Sequence, residues 1–162
     1  MKQILSKETC LKCQGCCRFA EAATIWAPSL LDKEIKVLSG RPGVAAVIST
    51  DKRIRPVASE AKDIFFCPFL NPRDNKCKIY TCRPFECRLY PFVINSSAGK
   101  TYLAVDTNCP FVKEKFNTKP FKDYAAYLAR LLNSRAFRKI LKDNPQIIQS
   151  YPGAVNIAEI TA

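Results

Sequence analysis

Cys10-Leu-Lys-Cys13-Gln-Gly-Cys16-Cys17 places four thiols within eight residues. Thiolates at C-x2-C-x2-C spacing can bend round one centre and offer it three sulfurs. The adjacent Cys17 does not join them easily. Neighbouring side chains point to opposite faces of a strand, or about 100° apart round a helix, so Cys16 and Cys17 cannot readily chelate one small ion together. The pair implies a multinuclear site, or two centres side by side.

The rest of the composition narrows what such a site can be. The chain of 162 residues contains nine cysteines and no histidine. A transition-metal site must therefore be mostly thiolate, with carboxylate or an exogenous ligand as supplement. Nine is an odd number, and the opening Met1-Lys-Gln-Ile-Leu-Ser-Lys-Glu lacks the apolar run of a secretory signal, so a disulfide scaffold is disfavoured. No stretch approaches a membrane span. The expectation is a cytoplasmic protein whose reduced thiols serve metal or redox chemistry. Its oligomeric state is left open.

Lysine and arginine outnumber aspartate and glutamate by 26 to 14, a formal charge of +12. Two centres that each join a divalent ion to four thiolates would lower this to about +8. The basic balance is compatible with an acidic protein partner, with nucleic acid, or with a solvated surface.

The second cysteine region runs Cys67-Pro-Phe-Leu-Asn-Pro-Arg-Asp-Asn-Lys-Cys77 and on through Cys82 and Cys87 to Tyr90-Pro91. The turn residues Asn71-Pro72-Arg73-Asp74-Asn75 fold the chain back so that Cys67 and Cys77 converge. Pro84 fixes its own φ and extends Arg83, which stiffens the approach to Cys87. Arg83 and Arg88 are expected to offset thiolate charge and donate hydrogen bonds to sulfur.

The elements around these regions read as α+β. Ser29-Leu-Leu-Asp32 resembles a capping box, and Leu30, Leu31, Ile35 and Leu38 follow helical spacing up to Gly40, which predicts a helix over 30–39. Val44–Ile48 and Ile64–Phe66 read as short strands, the second delivering Cys67. Residues 53–57 read as an edge strand or loop because of Pro56. Tyr90–Ile94 and Tyr102–Val105 form a hairpin across Asn95–Lys100, leading to Cys109. Thr118, Pro120 and an apolar stripe from Phe121 to Leu141 predict an amphipathic C-terminal helix over 118–143, with Arg130, Arg135, Arg138, Lys139 and Lys142 toward its end. Residues 145–162 read as a loosely ordered end. The whole is expected to be one domain over 1–162, a metal-binding core at 10–110 with the C-terminal helix packed on it.

Cys-x2-Cys-x2-Cys-Cys at 10–17, then Cys67, then Cys77-x-Ile79-Tyr80-x-x-Arg83-Pro84-x-x-Cys87-Arg88-x-Tyr90-Pro91, resembles the CxxCxxCC family, a zinc- or iron-chelating domain also called YkgJ-like and often labelled an iron–sulfur oxidoreductase. The resemblance spans about residues 10–110. It implies metal ligands at Cys10, Cys13, Cys16, Cys17, Cys67, Cys77, Cys87 and Cys109. Cys82 falls where the family has a variable residue, and is left outside the set as a spare or reactive thiol. Larger members include flagellin lysine methylases, but this chain has no glycine-rich loop for a methyl donor.

The metal stays open between two readings. The three-cysteine run matches the start of the bacterial ferredoxin pattern C-x2-C-x2-C-x3-C-P, with Cys67-Pro68 and Cys109-Pro110 as remote counterparts of its end. That favours iron–sulfur, as one or two 4Fe-4S clusters or a larger polynuclear site, with a redox or electron-transfer role and a protein redox partner. It could also be an oxidoreductase in its own right, or an accessory to one. Zinc in a structural or interaction module, with the basic surface binding nucleic acid, is the alternative. No histidine, paired carboxylate motif or nucleotide loop marks a catalytic residue.

Overall fold

The computed structural model describes residues 2–13, 15–41, 43–59 and 64–161. They divide into two compact units, Gln3–Arg88 and Leu89–Ala162, the second including Lys2. Short helices and small antiparallel sheets make the fold α+β, as the sequence predicts.

The first unit opens with helix α1, Lys7–Cys13. Ser6 starts it by accepting the Thr9 N–H at 3.1 Å, and so satisfies one of the free donors of the first turn. A three-stranded sheet follows, built from β1 (Arg18–Phe19), β2 (Val57–Ala58) and β3 (Phe65–Phe66) in the order β1-β3-β2. Helix α2 spans Asp32–Ser39 within the predicted 30–39. Its start is fixed by Glu34, whose Oε2 accepts the Leu31 N–H at 3.0 Å. Ser29 bridges to Arg53 instead of capping.

Strands β4 (Leu70–Asn71) and β5 (Lys76–Cys77) pair antiparallel, with Leu70 opposite Cys77. The turn chemistry read from the sequence holds them. Asn71 Oδ1 accepts the Arg73 N–H at 3.2 Å, Asp74 Oδ1 accepts the Lys76 N–H at 3.1 Å, and Asn75 takes φ 55°. A 3₁₀ turn at Tyr80–Cys82 leads to α3, Phe85–Leu89. The core of this unit includes Phe19, Leu30, Leu38, Ile54, Phe69 and Ile79.

One expected strand is absent. Val44–Ile48 turns into a 3₁₀ helix at Ala45–Val47, with Ile48 making a single bridge to Ile54. Two alanines give the segment little preference for a pleated surface, and successive i→i+3 bonds from Arg41 onward keep it coiled.

The second unit is more regular. Strands β6 (Phe92–Ser97) and β7 (Lys100–Asp106) form the predicted hairpin, closed by Ala98 and Gly99 with Ser97 opposite Lys100. Helices α4 (Pro110–Lys115), α5 (Lys119–Leu132) and α6 (Arg135–Asp143) follow. Phe121, Ala125, Leu128 and Leu132 form the buried stripe of α5, and Phe121 stacks on Phe92 at 5.2 Å between ring centroids.

Two expectations fail here. The single helix over 118–143 is two, because Ser134 leaves the helical conformation and its hydroxyl caps α6 through the Phe137 N–H at 3.4 Å. The end of the chain is ordered: β8, Ala154–Ile160, pairs with β7 to complete the sheet β6-β7-β8. Buried Asn95 helps fix the approach to it, donating to Asn156 and accepting the Tyr151 N–H, each at 2.8 Å. Among the described residues no helix is long and apolar enough to cross a membrane.

Candidate metal centre

Backbone pairing explains how distant cysteines meet. In the β1–β3 ladder Arg18 lies opposite Phe66. The next residue outward on each strand is a cysteine, and the Cys67 N–H donates to the Cys17 carbonyl at 3.0 Å. The β4–β5 hairpin then brings Cys77 beside the Cys67–Leu70 turn, whose Leu70 N–H closes on the Cys67 carbonyl at 2.9 Å. Helix α1 carries Cys10 and Cys13, and α3 carries Cys87.

Cys17 is the electrostatic hub of the arrangement. Its negative charge raises the pKa of Cys10, Cys16, Cys67, Cys77 and Cys87 alike. Cys13 acts on Cys10, and Cys82 acts on Cys77. Burial is the largest cause for Cys10, Cys67, Cys77 and Cys87, and it pushes the Cys67 thiol up to about 12. Cys16 and Cys17 form a hydrogen-bonded pair. The thiol of Cys16 donates and is held well up, while Cys17 is lowered by that bond and by Arg18 and Arg83.

Two guanidinium groups serve the cluster. Arg83 donates to the Cys10 sulfur and lowers Cys10, Cys17 and Cys77 by its charge. It is held by its Nε bond to the Tyr80 carbonyl at 3.2 Å, by Gln3 Oε1 at 2.9 Å, and by stacking 3.7 Å over the Tyr80 ring. Arg18 donates to Asn75 Oδ1 at 2.8 Å and lies 5.4 Å from the centre of the Phe66 ring. The sequence marks Arg83 and Arg88 beside the second cysteine region, whereas the only local signal for Arg18 is its position next to Cys17. Arg88 pairs instead with Glu34 Oε1 at 3.6 Å. Glu34 also accepts the Phe85 N–H at 2.7 Å, so one carboxylate caps α2 and the helix that carries Cys87. Burial is the first cause of its raised pKa.

The first unit therefore contains Cys10, Cys13, Cys16, Cys17, Cys67, Cys77 and Cys87 of the eight cysteines expected as ligands, and the second unit contains Cys109. Cys109 is buried and stands immediately before Pro110 at the start of α4. Among the described residues no three cysteine, aspartate or glutamate side chains stand close enough together to hold a metal ion. The thiols of the first unit make one neighbourhood rather than a closed coordination shell. Its donor chemistry fits zinc or iron: sulfur dominates, the chain lacks histidine, and arginines stand ready to offset thiolate charge.

A family described as "Putative zinc- or iron-chelating domain" matches residues 9–122. An uncharacterized protein of Methanocaldococcus jannaschii is 30% identical over 101 residues, which cover 60% of this chain and 51% of that relative. The chain thus spans about half the length of the curated relative it matches. No solved structure matches it.

Proposed function

The chain belongs to the CxxCxxCC family of zinc- or iron-chelating domains, and from that premise we propose that it is an iron–sulfur protein with a redox or electron-transfer role. One observation carries the reading. Cysteines from α1, the loop after it, the end of β3, β5 and α3 act electrostatically on a single residue, Cys17, or are acted on by it, the β3 one being Cys67 just past the strand. A zinc ion takes four ligands, and this neighbourhood supplies more sulfur than one such ion uses.

The ligands we assign are Cys10, Cys13, Cys16, Cys17, Cys67, Cys77, Cys87 and Cys109. Bound iron–sulfur clusters would supply one-electron chemistry. The protein's part is to deprotonate and orient the thiols. Arg83 and Arg18 favour the thiolate form of Cys17, and Glu34 fixes the start of the helix bearing Cys87. Hydrogen bonds to sulfur and nearby cations raise the potential of such centres by favouring the more negative, reduced state. The role requires a protein redox partner, and the basic surface favours an acidic one.

The test is the content of iron, zinc and acid-labile sulfide, with a visible spectrum, in protein purified without oxygen. Iron and sulfide in comparable amounts, with a brown charge-transfer band, are expected. Stoichiometric zinc, no sulfide and no colour would overturn the proposal in favour of a structural zinc module.

A further inference from the structure

A cleft of about 240 Å³ opens in the first unit beside α2, the Tyr80–Cys82 turn and α3. Lys33, Arg83 and Arg88 bring three cations to it, against the single carboxylate of Glu34. That carboxylate is already committed, since its two oxygens accept the N–H groups of Leu31 and Phe85. Arg88 reaches it only at 3.6 Å, and the Nε of Arg88 is buried without a hydrogen-bond partner. A buried guanidinium donor left unpaired is costly. Lys33 makes no ion pair among the described residues. Val37 and Leu38 supply an apolar wall, and Thr81 a hydroxyl.

We propose that this cleft binds a small organic anion, a short apolar body carrying carboxylate or phosphate oxygens. Excess positive charge attracts the anion, the exposed guanidinium nitrogens of Arg83 and Arg88 donate to it, and Val37 covers its carbon skeleton. The volume lies below the roughly 300–1,000 Å³ of sites for drug-sized ligands, which excludes a dinucleotide or a large cofactor. The site does not depend on which metal the thiols hold. It adjoins them nevertheless, because Arg83 lines the cleft and also donates to the Cys10 sulfur. An anion seated here stands one side chain from the cluster.

Isothermal titration calorimetry on the metal-loaded protein, as purified without oxygen, tests this with two probes, malonate and inorganic phosphate. Saturable binding of at least one is expected, and the preferred probe identifies the head group as carboxylate or phosphoryl. Lys33→Glu, an exposed substitution, should weaken that binding by about tenfold or more. Lys139→Glu, at an exposed cation of α6, should leave it unchanged. Absence of saturable heat with either probe would overturn the proposal. So would equal weakening by both variants, which would identify an adventitious ion only.

Discussion

The two units stabilise themselves by different means. In the second, strands of six and seven residues and a helix of fourteen bury Phe92, Leu103, Leu128, Leu132 and Ile160. Long ladders and a continuous apolar face are what an ordinary core needs. In the first, each of the five strands among the described residues has two residues, and the cysteines belong to the packing: Cys67 lies in the core while Cys17, Cys77 and Cys82 lie against it. Strands that short contribute few cooperative hydrogen bonds. The difference shows why sulfur is concentrated in one half. Where regular structure is thin, metal–thiolate bonds can close the fold.

The sharpest way to break that comparison is to remove the metal. Metal-binding free energies of thiolate sites run on the order of 10 kcal/mol and become folding free energy when no site exists in the unfolded chain. After chelation, amide hydrogen exchange should accelerate across β1, β3, β4 and β5 of the full chain, while β6 and β7 keep their protection. Equal loss in both regions would show that the units are not energetically distinct.

Alkaline pH should separate the halves in the same direction. In the metal-free protein Cys67 is pushed up to about 12 from the ordinary 9.0. A thiol raised in the folded state contributes stability that is fully present below pH 9 and declines as pH rises toward 12, because the unfolded chain ionises first. The loss is on the order of 4 kcal/mol for Cys67 alone, and Cys10, Cys16, Cys77 and Cys87 act with the same sign. A denaturation series from pH 8 to 11 should show the metal-free first unit weakening, and the metal-bound protein much less so.

Leu128→Ala tests the other half. Leu128 is fully buried on α5, and its truncation should cost about 3 kcal/mol. Exchange in β6 and β7 should accelerate, while metal content stays at the wild-type level. Glu34→Ala should cost about 2 kcal/mol by uncapping α2 and α3 together. Unlike Leu128→Ala, it should also weaken metal retention in a competition assay against a chelator, since α3 carries Cys87.

What was legible in the sequence follows how local its cause was. The spacing Cys10–Cys17, the Asn71–Asn75 turn, α2 and the β6–β7 hairpin are written in neighbouring residues, and the structure shows them. The break between α5 and α6 was masked because the apolar stripe continues past Asn133, so only the cap at Ser134 reveals it. Strand β8 was missed because its order depends on Asn95 and Asn133, residues far away in the chain: Asn133 reaches the Glu159 carbonyl at 3.2 Å and the Thr161 N–H at 2.8 Å. Likewise the centrality of Cys17 follows from its pairing with the residue after β3, a contact that spacing alone does not encode.

The smallest effect belongs to the tip of the hairpin, where local sequence and local geometry disagree. Ala98 has φ 49° and Gly99 φ 73°, the paired left-handed conformations of a two-residue turn between Ser97 and Lys100. Glycine adopts that region freely, whereas alanine pays about 1–2 kcal/mol for the approach of its Cβ to the following carbonyl. Ala98→Gly relieves this but loosens the unfolded chain, which takes back about 0.4–1 kcal/mol. The net expectation is a gain of about 0.5–1 kcal/mol. Ala98→Val should lose stability, because a β-branched side chain crowds the same region further. Because the strain belongs to the second unit, the gain from Ala98→Gly should persist after chelation and leave exchange in β1 and β3 unmoved. A gain that vanished with the metal would mean that the hairpin draws its stability from the thiol cluster.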